Sequence, residues 1–446
     1  MAFDPKSSFS FLIFLLLSIQ PLIFCLTTDA SPPPTVCIVG SGIGGSSVAH
    51  FLRHYFHPIP SQPNPPNIII FERRSVVGGR MATVSIGGET WAGALFSDPL
   101  VSRFWLKGQP PPPRFVECAL QSTVDSFLKY YESPETRPVF ETVDEMLKWA
   151  GLYNLTTRTL QDELVHIKIS PLMIDELVTV ITRINYGQSV SISGLAGAVS
   201  LAGSGGGLWA IEGGNYQMAA GLIKSSNVSL HLNEEIESIS YLGEYYELNS
   251  TKGNSYSCDV AVVATPLDEV SIQLTPSVSI PARKLQHTHA TFVRGILNPA
   301  YFGLRTVGVI PELVGTLEDP DIPFSSISIL KQHDENDTTY KVFSREPMTD
   351  ALLDTIFSAR LETVRINWGA YPHYEAPEVF APFILDGQHL YYVNTFENAA
   401  STMETSAVAA ENVARLILSR YFSEAHPHSS NLKSKSPDAH TLHTDL

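Results

Sequence analysis

The stretch TVCIVGSGIGGSSVAHFLR, Thr35 to Arg53, sets an apolar strand against a glycine turn and then a helix. Val36 to Val39 read as a buried strand, and Val48, Phe51 and Leu52 recur at helical spacing behind the turn. In Gly40-Ser41-Gly42-Ile43-Gly44-Gly45 the first glycine permits a tight turn and the second lets backbone approach a pyrophosphate, while Gly45 lets helix and strand pack closely. Amides at the helix start then face the anion. A second apolar strand, Ile68 to Phe71, ends on Glu72, a carboxylate placed to accept hydrogen bonds from a ribose 2′-hydroxyl. Its distance from the glycines exceeds the usual ~20 residues, and the connector HPIPSQPNPPN accounts for the excess.

Glu72 opens the sequence ERRSVVGGR, which places Arg73 next and then Gly78, Gly79 and Arg80. A nicotinamide site has no need of a second glycine pair here. An extended, permanently held FAD needs further backbone approach and a cation near its phosphates. Noncovalent FAD is therefore the cofactor expected.

The chain has 446 residues, 44% of them apolar, enough for two packed domains sharing a core. Its 29 basic and 45 acidic residues give a formal charge of −16, which offers no electrostatic footprint for nucleic acid or anionic lipid. Lys6, the apolar run FSFLIFLLLS, the interruption at Gln20 and Pro21, and the polar SPPPT read together as a cleaved secretory signal over residues 1–30. Sequons at Asn154, Asn227, Asn249 and Asn336 agree with passage through a lumen. Cys25 leaves with the signal, and Cys37, Cys118 and Cys258 form no disulfide framework by their spacing. Each is expected as a small buried hydrophobe, in a fold held by its core.

The expected organisation is α/β, a Rossmann-like FAD-binding domain with a second, α+β substrate domain. The FAD-binding domain takes residues 31–98, 201–272 and 386–422. A mainly helical cap spans 99–200, strands of the substrate domain span 273–385, and 423–446 form a disordered tail. VDSFLKYYES, VDEMLKWAGL, LQDELVHI and PLMIDELVTVITRINY show helical apolar spacing. The glycine-rich GLAGAVSLAGSGGGLWAIEGGN suits close backbone approach. VSLHLNEEIESISYL, EYYELNS, CDVAVVATP, HATFVRGIL and HLYYVNTF read as strands, and TMETSAVAAENVARLILSRYF as the last helix.

The motif ER-x-x-x-x-GGR resembles the flavin amine-oxidase superfamily. With WAIEGGNYQMAAGLI, NVSLHLNEEIESI, DVAVVATPLDEV and YYVNTFENAASTMETSAVAAENVARLI, the chain is similar to the prenylcysteine oxidase family, of the plant farnesylcysteine-lyase type, from about Thr35 to Phe422. The resemblance implies release of free cysteine and a prenyl aldehyde from farnesylcysteine or geranylgeranylcysteine, with FAD, O2 and water consumed and hydrogen peroxide formed. It also implies a lysosomal or vacuolar setting and peripheral membrane contact while the prenyl chain is delivered.

By the same resemblance the Ile236 backbone meets the adenine, and Glu397, Asn398, Ala399 and Ala400 reach the flavin. Catalytic side chains are not assigned, because the cofactor carries the hard step. The protein must supply orientation, a polar end for the amino acid and an apolar tunnel, for which Leu172, Met173, Leu177, Val180 and Ile181 are candidates. His287 and His289 share one side of a strand but lack a third ligand, so no metal is expected. RINWGAYPHY offers aromatic residues either for a wall at the flavin or for a core.

Residues 91–122 depart from the family pattern. Trp91 stands where an acidic residue is expected, Ala94 where a glycine is and Leu95 where a small polar residue is, and Pro110 to Pro113 interrupt a short link. Two alternatives therefore stay open. One is a related flavin oxidase or desaturase acting on amines or polyprenoids, the other a noncatalytic FAD- or prenyl-binding remnant.

Overall fold

A computed structural model describes residues 32–59, 62–92, 122–133, 135–202 and 211–424. The expected signal, the tail beyond 424 and most of the divergent 91–122 segment lie outside these residues. Two units are compact in themselves. The larger spans Pro34–Phe56 and Pro66–Leu446; the smaller, Met1–Pro33 and His57–Pro65, is described only around the Ile59–Gln62 bridge.

The strands are β1 (Thr35–Val39), β2 (Asn67–Glu72), β3 (Thr83–Ile86), β4 (Glu89–Ala92), β5 (Ser229–Leu232), β6 (Ile236–Tyr241), β7 (Tyr246–Ser250) and β8 (Ser255–Cys258). They continue as β9 (Val260–Val263), β10 (Gln273–Thr275), β11 (Leu285–Leu297), β12 (Leu313–Gly315), β13 (Ser326–Asp334), β14 (Asp337–Ser344), β15 (Phe357–Pro372) and β16 (Leu390–Tyr392). The longer helices are α1 (Ile43–Tyr55), α2 (Val143–Ala150), α3 (Leu160–His166), α4 (Thr179–Tyr186), α5 (Gly194–Ala202), α6 (Tyr216–Ser225), α7 (Asp350–Ile356) and α8 (Met403–Glu424). Residues 122–128 are also helical.

A five-stranded parallel sheet runs in the order β16-β9-β1-β2-β5. Parallel strands buried on both faces carry continuous apolar runs rather than alternation. Val36, Cys37, Ile38 and the whole of β9 accordingly have no more than trace exposure. Helices α1 and α8 pack side by side against this sheet, with Val48, Leu52, Val413 and Ile417 in the principal core. A four-stranded sheet, β10-β6-β7-β8, rests on the opposite side through Phe71, Ile236 and Leu248. The third sheet, β12-β13-β14-β11-β15, is antiparallel and is built round the long β11–β15 pair.

The helical middle obeys ordinary capping chemistry. Thr142 with Glu145, and Thr159 with Asp162, form capping boxes at the starts of α2 and α3. Ahead of α4 the chain winds one π turn, Ile174–Val178. Gly197 of α5 lies so close to α3 that a Cβ there would meet Leu160 at 2.6 Å. Gly197 thus serves close helix packing.

The reading of the cysteines needs correcting. Cys37 and Cys258 are joined by a disulfide across a sequence separation of 221, with Cα atoms 5.9 Å apart. The sheet order explains it, because β9, which follows Cys258 directly, pairs in parallel with β1. Neighbours in a parallel sheet are remote in sequence. Among the described residues no helix is long and apolar enough to cross a membrane.

Candidate functional site: a dinucleotide groove

Each glycine of the first turn meets something different. Gly40 has φ +109° and donates its N–H to the Phe71 carbonyl; a Cβ there would lie 2.6 Å from the Ala264 carbonyl oxygen. At Gly45 a Cβ would lie 2.0 Å from the Gly40 oxygen, so this glycine is what lets α1 start against β1. Gly44 faces Val393 at 3.3 Å, whereas Gly42 would meet only the Gly79 Cα at 3.9 Å. The backbone at Gly42 is therefore open to a ligand.

Gly78 and Gly79 fold back over this turn. The Gly78 N–H donates to the Ser41 carbonyl at 3.1 Å, and a Cβ on Gly79 would come within 3.3 Å of the Gly42 Cα. Two glycine segments thus face each other through backbone, and both line the same cavity. Glu72, 5% exposed, accepts from the Ser41 N–H at 3.1 Å, from the Ser41 hydroxyl at 2.6 Å and from the Arg74 N–H at 2.9 Å. It braces the glycine turn as well as lining the cavity.

That cavity is a groove of about 340 Å³. One end is marked by Glu72, Arg73 and the Glu234–Ile236 segment, the middle by Gly40–Gly44 and Gly78–Arg80, and the other end by Trp368–Tyr371, Glu397 and Ser401–Met403. The amino-terminal turn and the start of α8 therefore share one continuous cavity. At the first end hydrogen bonds from Ser250 and Asn254, with smaller help from Tyr256 and Lys252, hold the Glu234 carboxyl at about 2. Arg73 reaches Glu235 at 3.9 Å, with both side chains largely in solvent.

The Arg80 side chain is engaged by the fold within the groove. Rather than turning to the glycine backbone, its guanidinium donates to the Ala370 carbonyl at 2.8 Å and pairs with Glu397. Burial alone would lower this guanidinium, but the Glu397 charge and hydrogen bond, with Tyr371 and Tyr374 adding, carry it above its ordinary value. Glu397 also accepts from the Ser401 hydroxyl at 3.0 Å and from the Asn394 amide at 3.1 Å.

A buried tyrosine cluster supports the same turn. Tyr186 donates to the Ser401 carbonyl at 3.1 Å, and the Ser401 N–H donates to the Tyr374 hydroxyl at 2.8 Å. Burial pushes Tyr186, Tyr371 and Tyr374 well up, so they remain neutral. Thr402 and Thr405 cap α8 by exchanging side-chain and backbone bonds, leaving the positive end of the helix toward the groove.

Several expected positions shift. Ala399 and Ala400 are buried in the core beneath the turn instead of lining the groove, because the 3-10 turn Asn394–Asn398 rotates them inward. Ser401, Thr402 and Met403 take their place. Ile236, 2% exposed, does line the groove. Of the proposed tunnel residues, Leu172 is 65% exposed, Ile181 is buried and Val180 faces Gly315; with Met173 and Leu177 they are absent from the groove wall. The apolar face of that helix packs instead on Tyr371 and Tyr374.

Trp368 and Tyr371 of RINWGAYPHY do form wall. Trp91 is turned away, packed with Val84, Ile86 and Phe292. His287 sits in the groove between Glu269 and Asn367, and no cluster among the described residues is suited to a metal ion.

Comparison with known proteins fits this geometry. The prenylcysteine lyase family model matches residues 114–429, and a model of the NAD(P)-binding Rossmann-like domain matches 38–104. The chain is 57% identical to farnesylcysteine lyase of Arabidopsis thaliana, over 92% of this chain and 93% of that protein. The chain belongs to the prenylcysteine lyase family. A more distant member, human prenylcysteine oxidase 1, is 30% identical over 88% of this chain and 90% of its own length. Among solved structures, cyclohexylamine oxidase from Brevibacterium oxydans superposes with a TM-score of 0.55 at 16% identity, covering 88% of this chain and all of that one. A putrescine oxidase variant gives 0.53 at 13% identity, over 87% of this chain and all of its own. These show that the chain has the fold of the flavin amine oxidases.

Proposed function

We propose that this protein is an FAD-dependent thioether oxidase that cleaves farnesylcysteine or geranylgeranylcysteine to free cysteine and a prenyl aldehyde, using O2 and water and producing hydrogen peroxide. The observation that carries the reading is near full-length identity to a farnesylcysteine lyase, in a chain whose glycine turn and last helix share one groove.

When bound, FAD supplies a two-electron acceptor for the carbon next to sulfur. The chain's own residues bind, orient and shield. Gly42, Gly44 and Gly79 offer backbone to the pyrophosphate, Gly40 and Gly78 hold the two turns through their N–H bonds to Phe71 and Ser41, and Gly45 keeps the cradle closed. Glu72, Arg73 and Ile236 hold the nucleoside end. Arg80, Glu397 and the start of α8 fix the far end, where helix amides favour negative charge. Trp368, Ala370 and Tyr371 give the apolar wall against which a prenyl thioether lies.

Purified protein given farnesylcysteine is expected to yield peroxide and farnesal in equal amounts. Bound FAD with neither product would remove the assignment.

The working compartment is the lumen of the secretory pathway, ending in a lysosome or vacuole. The Cys37–Cys258 bond supports an oxidising route. Asn154, Asn227 and Asn336 are exposed, while Asn249 lies within β7 with its amide directed to the Ser238 hydroxyl at 3.4 Å. Glycopeptide mass spectrometry of secreted protein is expected to find sugar at the first three and none at Asn249. Absence from all four would remove the lumenal reading.

A further inference from the structure

Among the described residues, five carboxylates line the groove: Glu72, Glu234, Glu235, Glu269 and Glu397. Four are engaged by the fold or by an arginine. Glu72 accepts from Ser41 and Arg74, Glu397 from Arg80, Ser401 and Asn394, and Glu234 from Asn254 at 2.7 Å and Tyr256 at 3.1 Å, while Glu235 faces Arg73. Glu269 differs. Its carboxylate meets only the His287 ring, Nε2 at 3.1 Å, and its side chain is 30% exposed in the groove.

The seat for this carboxylate is built from three further features. The other His287 nitrogen lies 3.0 Å from the Asn367 side chain, which fixes the ring plane. Gly369 has no Cβ, and one placed there would lie 2.6 Å from the Glu269 carboxylate. Gly369 adjoins Ala370, whose carbonyl takes Arg80, so Glu269 belongs to the far end of the groove and not to the nucleoside end.

We propose that Glu269 is the anchor for the α-ammonium group of the substrate's amino-acid end, with His287 and Asn367 as positioning residues. This rests on the prenylcysteine reading above. A primary ammonium supplies the full positive charge and N–H donors that no lysine or arginine among the described residues provides to this carboxylate. The contact is remote from the carbon that is oxidised, so it is made alike before and during reaction. It therefore governs half-saturation more than limiting rate.

The test pairs a residue change with a substrate change. Wild-type and Glu269→Gln holoproteins are mixed anaerobically with S-farnesylcysteine or with S-farnesyl-3-mercaptopropanoate, which keeps the thioether and carboxylate but lacks the amine. Flavin bleaching is followed against concentration. In the wild type, loss of the amine is expected to raise the half-saturating concentration about 10- to 100-fold. In Glu269→Gln the two thioethers are expected to differ by less than about 3-fold at unchanged FAD content.

Gly369→Ala, which displaces the carboxylate without removing it, is expected to lose the same preference. If Glu269→Gln keeps the wild-type preference for the amine, or weakens both thioethers equally, the anchor is overturned. A wild type that binds FAD and is bleached by neither compound overturns the prenylcysteine reading and the anchor with it.

Discussion

Replacing Cys37 and Cys258 together by alanine is expected to destabilise the protein by about 5 kcal/mol, the chain-entropy value for a closed loop of this length. The bond spans 221 residues and ties β1, which feeds the glycine turn, to the segment entering β9. Against a usual total of about 5–15 kcal/mol, this is a third or more of the folding free energy. In thermal unfolding of the FAD-loaded protein the midpoint is expected to fall by roughly 5–8 °C. Neither sulfur is accessible, since Cys37 and Cys258 are 0% and 1% exposed. Reductant added to folded protein is therefore expected to act only as the chain opens. A double variant with the wild-type midpoint would show that the β1–β9 pairing holds without the bond.

The amino-terminal unit was legible because its physics is local. Strand, glycine turn and helix succeed one another within a few residues, and each glycine has a steric duty that can be inferred from its place. The disulfide was not legible, because a parallel sheet sets β9 beside β1 only after two hundred residues have intervened. Arg80 was legible as a cation, but its partners in the groove were not. Its partner Glu397 arrives from 317 residues away.

The segment before α8 was placed within a few residues. Which of those residues face the groove depends on a 3-10 turn that carries no periodic signal, and a resemblance of the segment as a whole does not separate Ala399 and Ala400 from Ser401 and Thr402. His287 stood out in the sequence only through its pairing with His289. Paired histidines on a strand suggest a metal, and only the fold shows Glu269 and Asn367 on either side of one ring.

The Arg80–Glu397 contact gives the second large effect. Glu397 is 4% exposed and is the common acceptor for Arg80, Ser401 and Asn394. Glu397→Leu leaves three donors without an acceptor and a guanidinium, 29% exposed, without its counter-ion. Breaking a pair of this kind from one side costs about 3 kcal/mol or more, since a charge stays desolvated with nothing to offset it. The turn at Ser401 would loosen with it, and FAD affinity is expected to fall by at least about 10-fold.

Removing both charges is a different experiment. Arg80→Met with Glu397→Leu takes away the stranded cation as well as its partner, so the double variant is expected to be more stable than Glu397→Leu alone by about 1–2 kcal/mol. FAD affinity should not recover to the same degree, because Arg80 also holds the Ala370 carbonyl and with it the wall of the groove. Urea unfolding of the apoproteins and fluorescence titration with FAD separate the two quantities. If the double variant is no more stable than Glu397→Leu, the stability loss comes from the Ser401 and Asn394 bonds and not from a stranded charge.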